Sequence, residues 1–241
     1  MSALERHGIK HLSPSSLNLW LENPGLWTIR YLAGVKDETG AAMARGSAVE
    51  TGMLHGLHGK EGAADTALAN FDLNMAGEIA DHIEVERKMI GPMVEQCAKW
   101  KAPSPVVASQ FKVEHWFDGV SVPVVGYLDF AFDDIDVDLK TTKACPSSPR
   151  ANHVRQASLY RAARNRRGAL LYVTHAKHAF YEIDDEARDR ALGELQSAAL
   201  SLQRFLTKFD LAEDAIRALP MNMDSFMWSE ATKAKVAELQ L

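Results

Sequence analysis

Residues 107–141 read VASQFKVEHWFDGVSVPVVGYLDFAFDDIDVDLKT, and this stretch decides the fold class. Apolar residues recur at every second position, which is the spacing of strands whose side chains alternate between two faces. The pattern predicts strands at 107–117, 120–132 and 135–141, with a turn at 118–119. Because Asp-Gly between two apolar runs is a hairpin signal, we expect a three-strand antiparallel meander.

Helical patterns lie on both sides of the meander, where apolar residues recur every three or four positions. The elements predicted outside the meander are, in chain order, two short helices at 12–34, helices at 43–57 and 75–100, a crossover helix at 151–167, strands at 169–174 and 177–183, and a long helix from 184 or 185. This order predicts an α/β fold with a central mixed β-sheet, comprising the three-strand antiparallel meander, the crossover helix and further strands, flanked by helices.

The length of 241 residues fits one large domain. We predict a single domain over 1–241, with its core at about 43–183, N-terminal helices at 12–34 and a C-terminal helical extension at 184–241. Hydrophobic residues make up 46% and charged residues 24% of the chain, which is typical of a globular protein. No apolar run has membrane-spanning length and the first residues lack a signal-peptide pattern, so we expect a cytoplasmic protein with no membrane partner.

The cysteines and the net charge exclude several further classes of protein. Cys97 and Cys145 lie far apart and form no C-x-x-C pair, which excludes a disulfide scaffold and metal or iron–sulfur sites built from cysteine alone. A net charge of -5 argues against a protein that coats nucleic acid non-specifically. A nucleic-acid enzyme with a local basic patch is still compatible with that charge.

Two carboxylates and a lysine are predicted to meet on the meander. Asp138 and Lys140 are two residues apart and project from the same face of the third strand, and Asp129 lies on the neighbouring strand. Carboxylate oxygens suit a hard divalent cation, and an ammonium group steadies an attacking water or a developing negative charge on a phosphate. A D-x-K pattern is also common on solvated strand faces, and Asp133, Asp134 and Asp136 are interpreted as turn and rim residues.

Glu50 is a carboxylate in an unexpected place. It shares one stripe of the helix at 43–57 with Gly46, Met53 and other small or apolar positions. A carboxylate on such a stripe is costly unless a positive group pairs with it. We therefore predict that Glu50 completes the acidic site if its helix packs on the sheet.

A basic segment follows the third strand and contains no acidic residue. Its arginines are Arg150, Arg155, Arg161, Arg164, Arg166 and Arg167. This local patch suits a phosphate backbone, although a solvated surface helix has the same pattern. Gln156 and Tyr160 lie one turn apart on this helix and would share a face.

The motifs named so far occur along the chain in an order that resembles a known protein family. The chain has Leu12-Ser-Pro-Ser-Ser-Leu17 with Asn23-Pro24 and Tyr31, then Gly46 with Glu50, then Gly126, Asp129, Asp138 and Lys140, then Gln156 and Tyr160. The set resembles the PD-(D/E)xK nuclease superfamily and, within it, the RecB-like and lambda-type exonuclease branch. That branch typically has LSxSxL…CP…Y, a helix with G-x-x-x-H, a G-x-x-D…D-x-K core and Q-x-x-x-Y.

The chain departs from that pattern at three positions. Glu50 stands where relatives often have a metal-binding histidine. A glutamate at this position is similar to the lambda-type exonucleases, which use a glutamate there. Asn23 replaces the usual cysteine, and Leu128 replaces the proline before Asp129. No later cysteine cluster exists, so no iron–sulfur cluster is expected.

The resemblance implies a restriction-endonuclease-like core and metal-dependent hydrolysis of DNA phosphodiesters. Glu50, Asp129 and Asp138, with the Leu139 carbonyl, would hold Mg²⁺ or Mn²⁺, and Lys140 would orient or activate the attacking water. The residues implied to contact DNA are Gln156, Tyr160, Arg150, Arg155, Arg161 and Arg164.

The predicted function is that of an exonuclease acting on linear duplex DNA or single-stranded ends in recombination or repair. A phage source, with action in the host cytoplasm, is one version of this prediction. Lambda-type relatives imply a homo-oligomeric ring and a single-strand annealing protein as partner. Two alternatives stay open, namely a structure-specific endonuclease and a catalytically inactive nuclease-like module that binds DNA.

Overall fold

The computed structural model describes residues 2–35, 40–76, 81–225 and 227–239. The chain divides into two compact units. The sheet unit comprises residues 39–113 and 127–187, and the terminal unit comprises residues 1–38, 114–126 and 188–241. The prediction of a single domain stays a prediction.

The described helices and strands alternate in the predicted α/β manner. In chain order they are α1 (Ala3–Arg6), α2 (Pro14–Glu22), α3 (Pro24–Tyr31), α4 (Ala41–Leu57), α5 (Ala63–Asn74), α6 (Asp81–Lys99), β1 (Ala108–His115), β2 (Val124–Ala131), β3 (Ile135–Thr141), α7 (Ala151–Arg164), β4 (Arg167–Val173), β5 (His178–Glu182), α8 (Asp185–Leu206), α9 (Ala212–Arg217) and α10 (Glu230–Glu238).

The five strands form one mixed sheet in the order β1-β2-β3-β4-β5. Strands β2 and β3 are antiparallel, β3 and β4 are parallel, and β4 and β5 are antiparallel. Helix α7 makes the crossover between the two parallel strands. The predicted mixed sheet flanked by helices is therefore confirmed.

Strand β3 lies at the centre of the sheet and has the bounds that the sequence predicts. Asp136 and Asp138 are each only 1% exposed, because helices cover both faces of the strand. The interpretation of Asp136 as a rim residue is wrong. Asp136 is buried beneath α7, where Arg164 Nε lies 2.7 Å from its Oδ2 and supplies the compensating charge.

The predicted tight hairpin between the first two strands is wrong in detail. A local turn does form, with Gly119 at φ +80° and Val120 N–H bonded to the Phe117 carbonyl. Strand β2 begins only at Val124, however, so the connection covers residues 116–123. Pro123 directly precedes the strand and has no N–H to donate to a sheet ladder.

Helices α4, α5 and α6 pack together on one face of the sheet. Helix α5 was not predicted, because its residues Ala63–Asn74 mix alanine with aspartate and asparagine and give a weak apolar stripe. The predicted helix at 75–100 corresponds to α6, which starts at Asp81 and continues through Pro92 despite the expected disturbance there. Met75 caps α5, and residues 77–80 lie outside the described part of the chain.

Helix α7 covers the opposite face of the sheet and packs on β3 and β4. Its Ala157 lies against the buried residues Leu170 and Tyr172 of β4. The acidic strand β3 is therefore enclosed between α4 on one side and α7 on the other.

The terminal unit contains the two short N-terminal helices in the predicted places. The Ser13 hydroxyl accepts the Ser16 N–H at 3.0 Å and caps α2, with Pro14 in the first turn. The Asn23 side chain then accepts the Leu26 N–H at 3.0 Å and caps α3. Among the described residues, no helix is both long enough and apolar enough to cross a bilayer.

Candidate active site

The centre of the site is built on adjacent antiparallel strands. Asp129 projects from β2, and Asp138 and Lys140 project from β3. Lys140 Nζ lies 2.6 Å from Asp138 Oδ2. The Leu139 N–H donates to Asp129 Oδ2 at 2.7 Å, which fixes one oxygen of that carboxylate. The predicted meeting of these two carboxylates and the lysine is what the strand pairing produces.

Glu50 reaches this centre from α4, which packs against β3. A Cβ added at Gly46 would lie 3.5 Å from Thr141 Oγ1, so a small residue one turn before Glu50 permits the close approach. Burial, followed by repulsion from Asp138, raises the pKa of Glu50. The Glu50 carboxylate lies beside that of Asp129, because the Gln110 amide nitrogen donates to Glu50 Oε1 and is 3.4 Å from Asp129 Oδ1.

A buried ion pair anchors the same helix. Arg45 is bonded to Glu86 of α6, with both side chains under one-tenth exposed, and it donates a second hydrogen bond to the Thr141 carbonyl at 3.3 Å. Lys143 Nζ lies 3.4 Å from Glu86 on the solvent side. Arg45 and Glu86 were not predicted as parts of the site region, because their pairing depends on how two helices pack.

Gln110 of β1 also belongs to the site and was not predicted. Its amide nitrogen donates to Glu50 Oε1 and lies 3.4 Å from Asp129 Oδ1. Its backbone has φ of +48°, in the left-handed region. No sequence signal pointed to it, because a glutamine on a strand is ordinarily a surface residue.

Three carboxylates face one ammonium group in this centre. Burial, followed by the charges of Asp138 and Glu50, raises the pKa of Asp129 well above its ordinary value. Burial alone would lower the pKa of Lys140, but Asp138 and Asp129 reverse that effect and the net shift is upward. The site therefore has more negative charge than Lys140 compensates.

The donor chemistry of the site fits a hard divalent cation. Asp138 Oδ1 is buried and accepts no hydrogen bond from the described residues, which is costly for a carboxylate oxygen. Within the described part of the chain, no three His, Cys, Asp or Glu side chains are already grouped as a ligand set. Two observations support a divalent cation here: the carboxylates offer only oxygen ligands, and Asp138 Oδ1 has no hydrogen-bond donor among the described residues.

Gln156 and Tyr160 share a face of α7, as predicted, and this face points to Lys140. Lys140 Nζ donates to Gln156 Oε1 at 2.9 Å, and Gln156 Nε2 donates to the Tyr160 hydroxyl at 2.7 Å. Tyr160 is buried, and burial followed by the charge of Asp138 raises its pKa. The two residues hold the lysine, and the prediction that they also contact DNA stays a prediction.

A second group of hydrogen bonds joins the start of α7 to β4. The buried Tyr172 hydroxyl lies 2.7 Å from His153 Nδ1 and accepts the Arg150 N–H at 3.1 Å. Burial, followed by the positive charges of Lys140 and Arg150, lowers the pKa of His153 to about 4. His153 is therefore a neutral imidazole at neutral pH.

Arg161 and Arg164, which were both predicted to contact DNA, pair with carboxylates of the same chain. Arg161 lies 2.6 Å from Asp185, and Arg164 pairs with Asp136 while stacking 4.4 Å over the Phe111 ring. These contacts connect α7 to the sheet and to the start of α8, which is a structural role. A role in DNA binding stays a prediction for both arginines.

The other two arginines lie at the start of the same helix. Arg150 is exposed at the N-cap of α7, and Arg155 is half-buried one turn later. Arg166 and Arg167, just beyond the helix, bond to the Phe132 carbonyl and to Glu182. Of the predicted basic patch, Arg150 and Arg167 are exposed, and Arg167 is paired with Glu182.

Comparisons with known proteins give the family. A sequence model of the PD-(D/E)XK nuclease superfamily matches residues 11–233. A crystal structure from Eubacterium rectale, described as that of a candidate exonuclease, aligns with a TM-score of 0.58 and 15% identity over 89% of this chain and 92% of that one, which shows the fold alone. The structure of SSO0001 aligns with a TM-score of only 0.33 at 17% identity, over 73% and 84% of the two chains. No curated protein sequence matches. Since the family match spans most of the chain, the chain belongs to the PD-(D/E)XK nuclease superfamily.

Proposed function

We propose that the chain is a divalent-metal-dependent DNA exonuclease. Membership of the superfamily supports a nuclease that acts on DNA and uses divalent metal ions. The observation that carries the proposal is the Lys140–Asp138 pair, 2.6 Å apart, beside the carboxylates of Asp129 and Glu50. The candidate exonuclease activity of the similar Eubacterium rectale protein supports the choice of an exonuclease.

Each side chain has a role in this proposal. Glu50, Asp129 and Asp138, with the Leu139 carbonyl, would hold Mg²⁺ or Mn²⁺. Such an ion, when bound, lowers the pKa of water and stabilises negative charge on a phosphoryl group. Lys140 is fixed between Asp138 and Gln156, so its ammonium would donate to the attacking water or to a phosphate oxygen.

The direct test is digestion of linear duplex DNA with Mg²⁺. We expect Lys140→Ala to lower the rate by about 10²–10³-fold, the loss typical of one preorganised donor. Lys60→Ala removes an exposed lysine from a loop of the same unit and is the matched control. Equal digestion by the wild-type chain and Lys140→Ala would show that the site assignment is wrong.

The substrate form separates the alternatives. An end-dependent enzyme leaves closed circular DNA intact and degrades linear duplexes or single-stranded ends, whereas a structure-specific endonuclease cuts the circle. A folded chain that binds DNA but neither Mg²⁺ nor Mn²⁺ in calorimetry would favour the inactive module. The proposed roles in recombination or repair, the phage source, the ring and the annealing partner come from the family resemblance, and size-exclusion chromatography with light scattering tests the ring.

A further inference from the structure

The backbone at Gln110 is strained, and Gln110 does not lie at a helix end, where a left-handed residue is common. Its φ of +48° lies in a region that residues other than glycine rarely adopt. Among the described residues, the other non-glycine example is Asn165, with φ of +49° at the C-cap of α7. Asparagine at a helix end is a common left-handed residue. A glutamine within a strand is not, and such strain persists where the surroundings impose it.

The surroundings of Gln110 are the two carboxylates that come from different elements. Its amide nitrogen donates to Glu50 Oε1 on α4 and lies 3.4 Å from Asp129 Oδ1 on β2. A glutamine amide carries two N–H donors, so one side chain can serve both acids. The second oxygen of Asp129 is already fixed by the Leu139 N–H. Gln110 therefore determines how the Glu50 carboxylate is oriented relative to that of Asp129.

We infer that Gln110 is a positioning residue for the divalent-metal site, a role that rests on the proposed function. Groups that hydrogen-bond to metal ligands fix ligand orientation, and their loss typically weakens metal binding or activity by about 10–100-fold. Gln110 is exposed, so burying its own side chain does not explain the strained backbone. The strain instead aims the amide at the two acids, as is common at functional sites.

Two substitutions separate the amide from the backbone strain. Gln110→Met keeps the length of the side chain and the strained backbone but has no N–H donor. Gln110→Gly removes the side chain and relieves the left-handed strain. Asn165→Gly is the matched control, because it changes the other left-handed residue and leaves Gln110 in place.

The experiment measures Mn²⁺ binding to the full chain by calorimetry, thermal unfolding without metal, and digestion of linear DNA. We expect both Gln110 variants to bind Mn²⁺ about 10-fold more weakly than the wild-type chain. The Tm of Gln110→Gly without metal should be no lower than that of the wild-type chain. Asn165→Gly should keep wild-type Mn²⁺ affinity.

Wild-type or tighter Mn²⁺ binding in both Gln110 variants would overturn this inference while leaving the proposed nuclease function intact. A lower Tm with unchanged Mn²⁺ affinity would assign Gln110 a purely structural role and would also overturn it. If the wild-type chain binds Mn²⁺ but leaves DNA intact, the nuclease function fails and the binding data still decide the role of Gln110. If the wild-type chain binds no Mn²⁺, both the metal site and this role are contradicted.

Discussion

The two sides of the site hold their residues by different means. On the α4 side, Glu50 is held by an exposed glutamine and its helix is anchored by the buried Arg45–Glu86 pair. On the α7 side, Lys140 is held by a partly buried chain of hydrogen bonds through Gln156 and Tyr160. On the α7 side, the helix residues that hold Lys140 are thus neutral, whereas on the α4 side the helix that carries Glu50 is anchored by a charge pair between distant parts of the chain. Substitutions on the two sides should therefore differ in size and kind.

The largest effect on stability is expected from the anchor of the α4 side. Arg45→Met leaves Glu86 buried and, among the described residues, paired only with the exposed Lys143. Breaking a buried pair in this way typically costs about 3–5 kcal/mol of unfolding free energy. Arg87→Met, which removes an exposed pair with Asp72, is the control and should cost under about 1 kcal/mol. Urea unfolding measures both values.

The double variant Arg45→Met/Glu86→Met tests the cause. It removes the uncompensated carboxylate, so we expect it to recover most of the lost stability. A single Arg45→Met variant as stable as the wild-type chain would mean that the α4 side is not anchored by charge.

A smaller effect is expected on the α7 side. Tyr160→Phe removes the hydroxyl that accepts from Gln156, and losing one such hydrogen bond costs about 1 kcal/mol. Cleavage should also slow, because Gln156 no longer holds Lys140 in a single orientation. Tyr181→Phe removes a hydroxyl bonded to the Pro146 carbonyl at 2.7 Å and is the matched control. It should lose similar stability but keep the wild-type cleavage rate, and equal rates in both variants would contradict the role of Tyr160.

The last effect concerns pH, and it develops only as the pH falls below neutrality. The pKa of His153 is lowered to about 4 by burial and by Lys140 and Arg150, from an ordinary value of 6.5. Between these pH values the unfolded chain binds a proton that the folded chain excludes, so stability falls as the pH drops from 6.5 to about 4. NMR titration should give a His153 pKa near 4, and His153→Gln should reduce the acid sensitivity. A His153 pKa at or above 6 would contradict the burial of this side chain beside Lys140 and Arg150.

The sequence predicted what depends on local spacing. Strand β3 has its predicted bounds because its two-residue period is uninterrupted, and the same period places Asp138 and Lys140 on one face. Glu50 was identified because a carboxylate stood among small and apolar helix positions. The helical face shared by Gln156 and Tyr160 also follows from spacing alone.

The sequence did not predict what depends on distant partners. Asp136 looks like a turn residue until Arg164 of α7 neutralises it in the interior. The pair of Arg45 and Glu86 depends on the packing of two helices, and α5 between them has no strong apolar stripe. Gln110 required a strained backbone, which residue spacing does not encode.

The ion pairs of Arg161 and Arg164 have a consequence for how the chain would hold DNA. Each of these guanidinium groups already pairs with a carboxylate of the same chain, so neither would displace a counterion from a phosphate unless its pair opened. The affinity for DNA would then decline only gently as ionic strength increases. The arginine-rich helix would then contribute less to DNA affinity than its composition implies. The few groups that contact the scissile phosphate would contribute more.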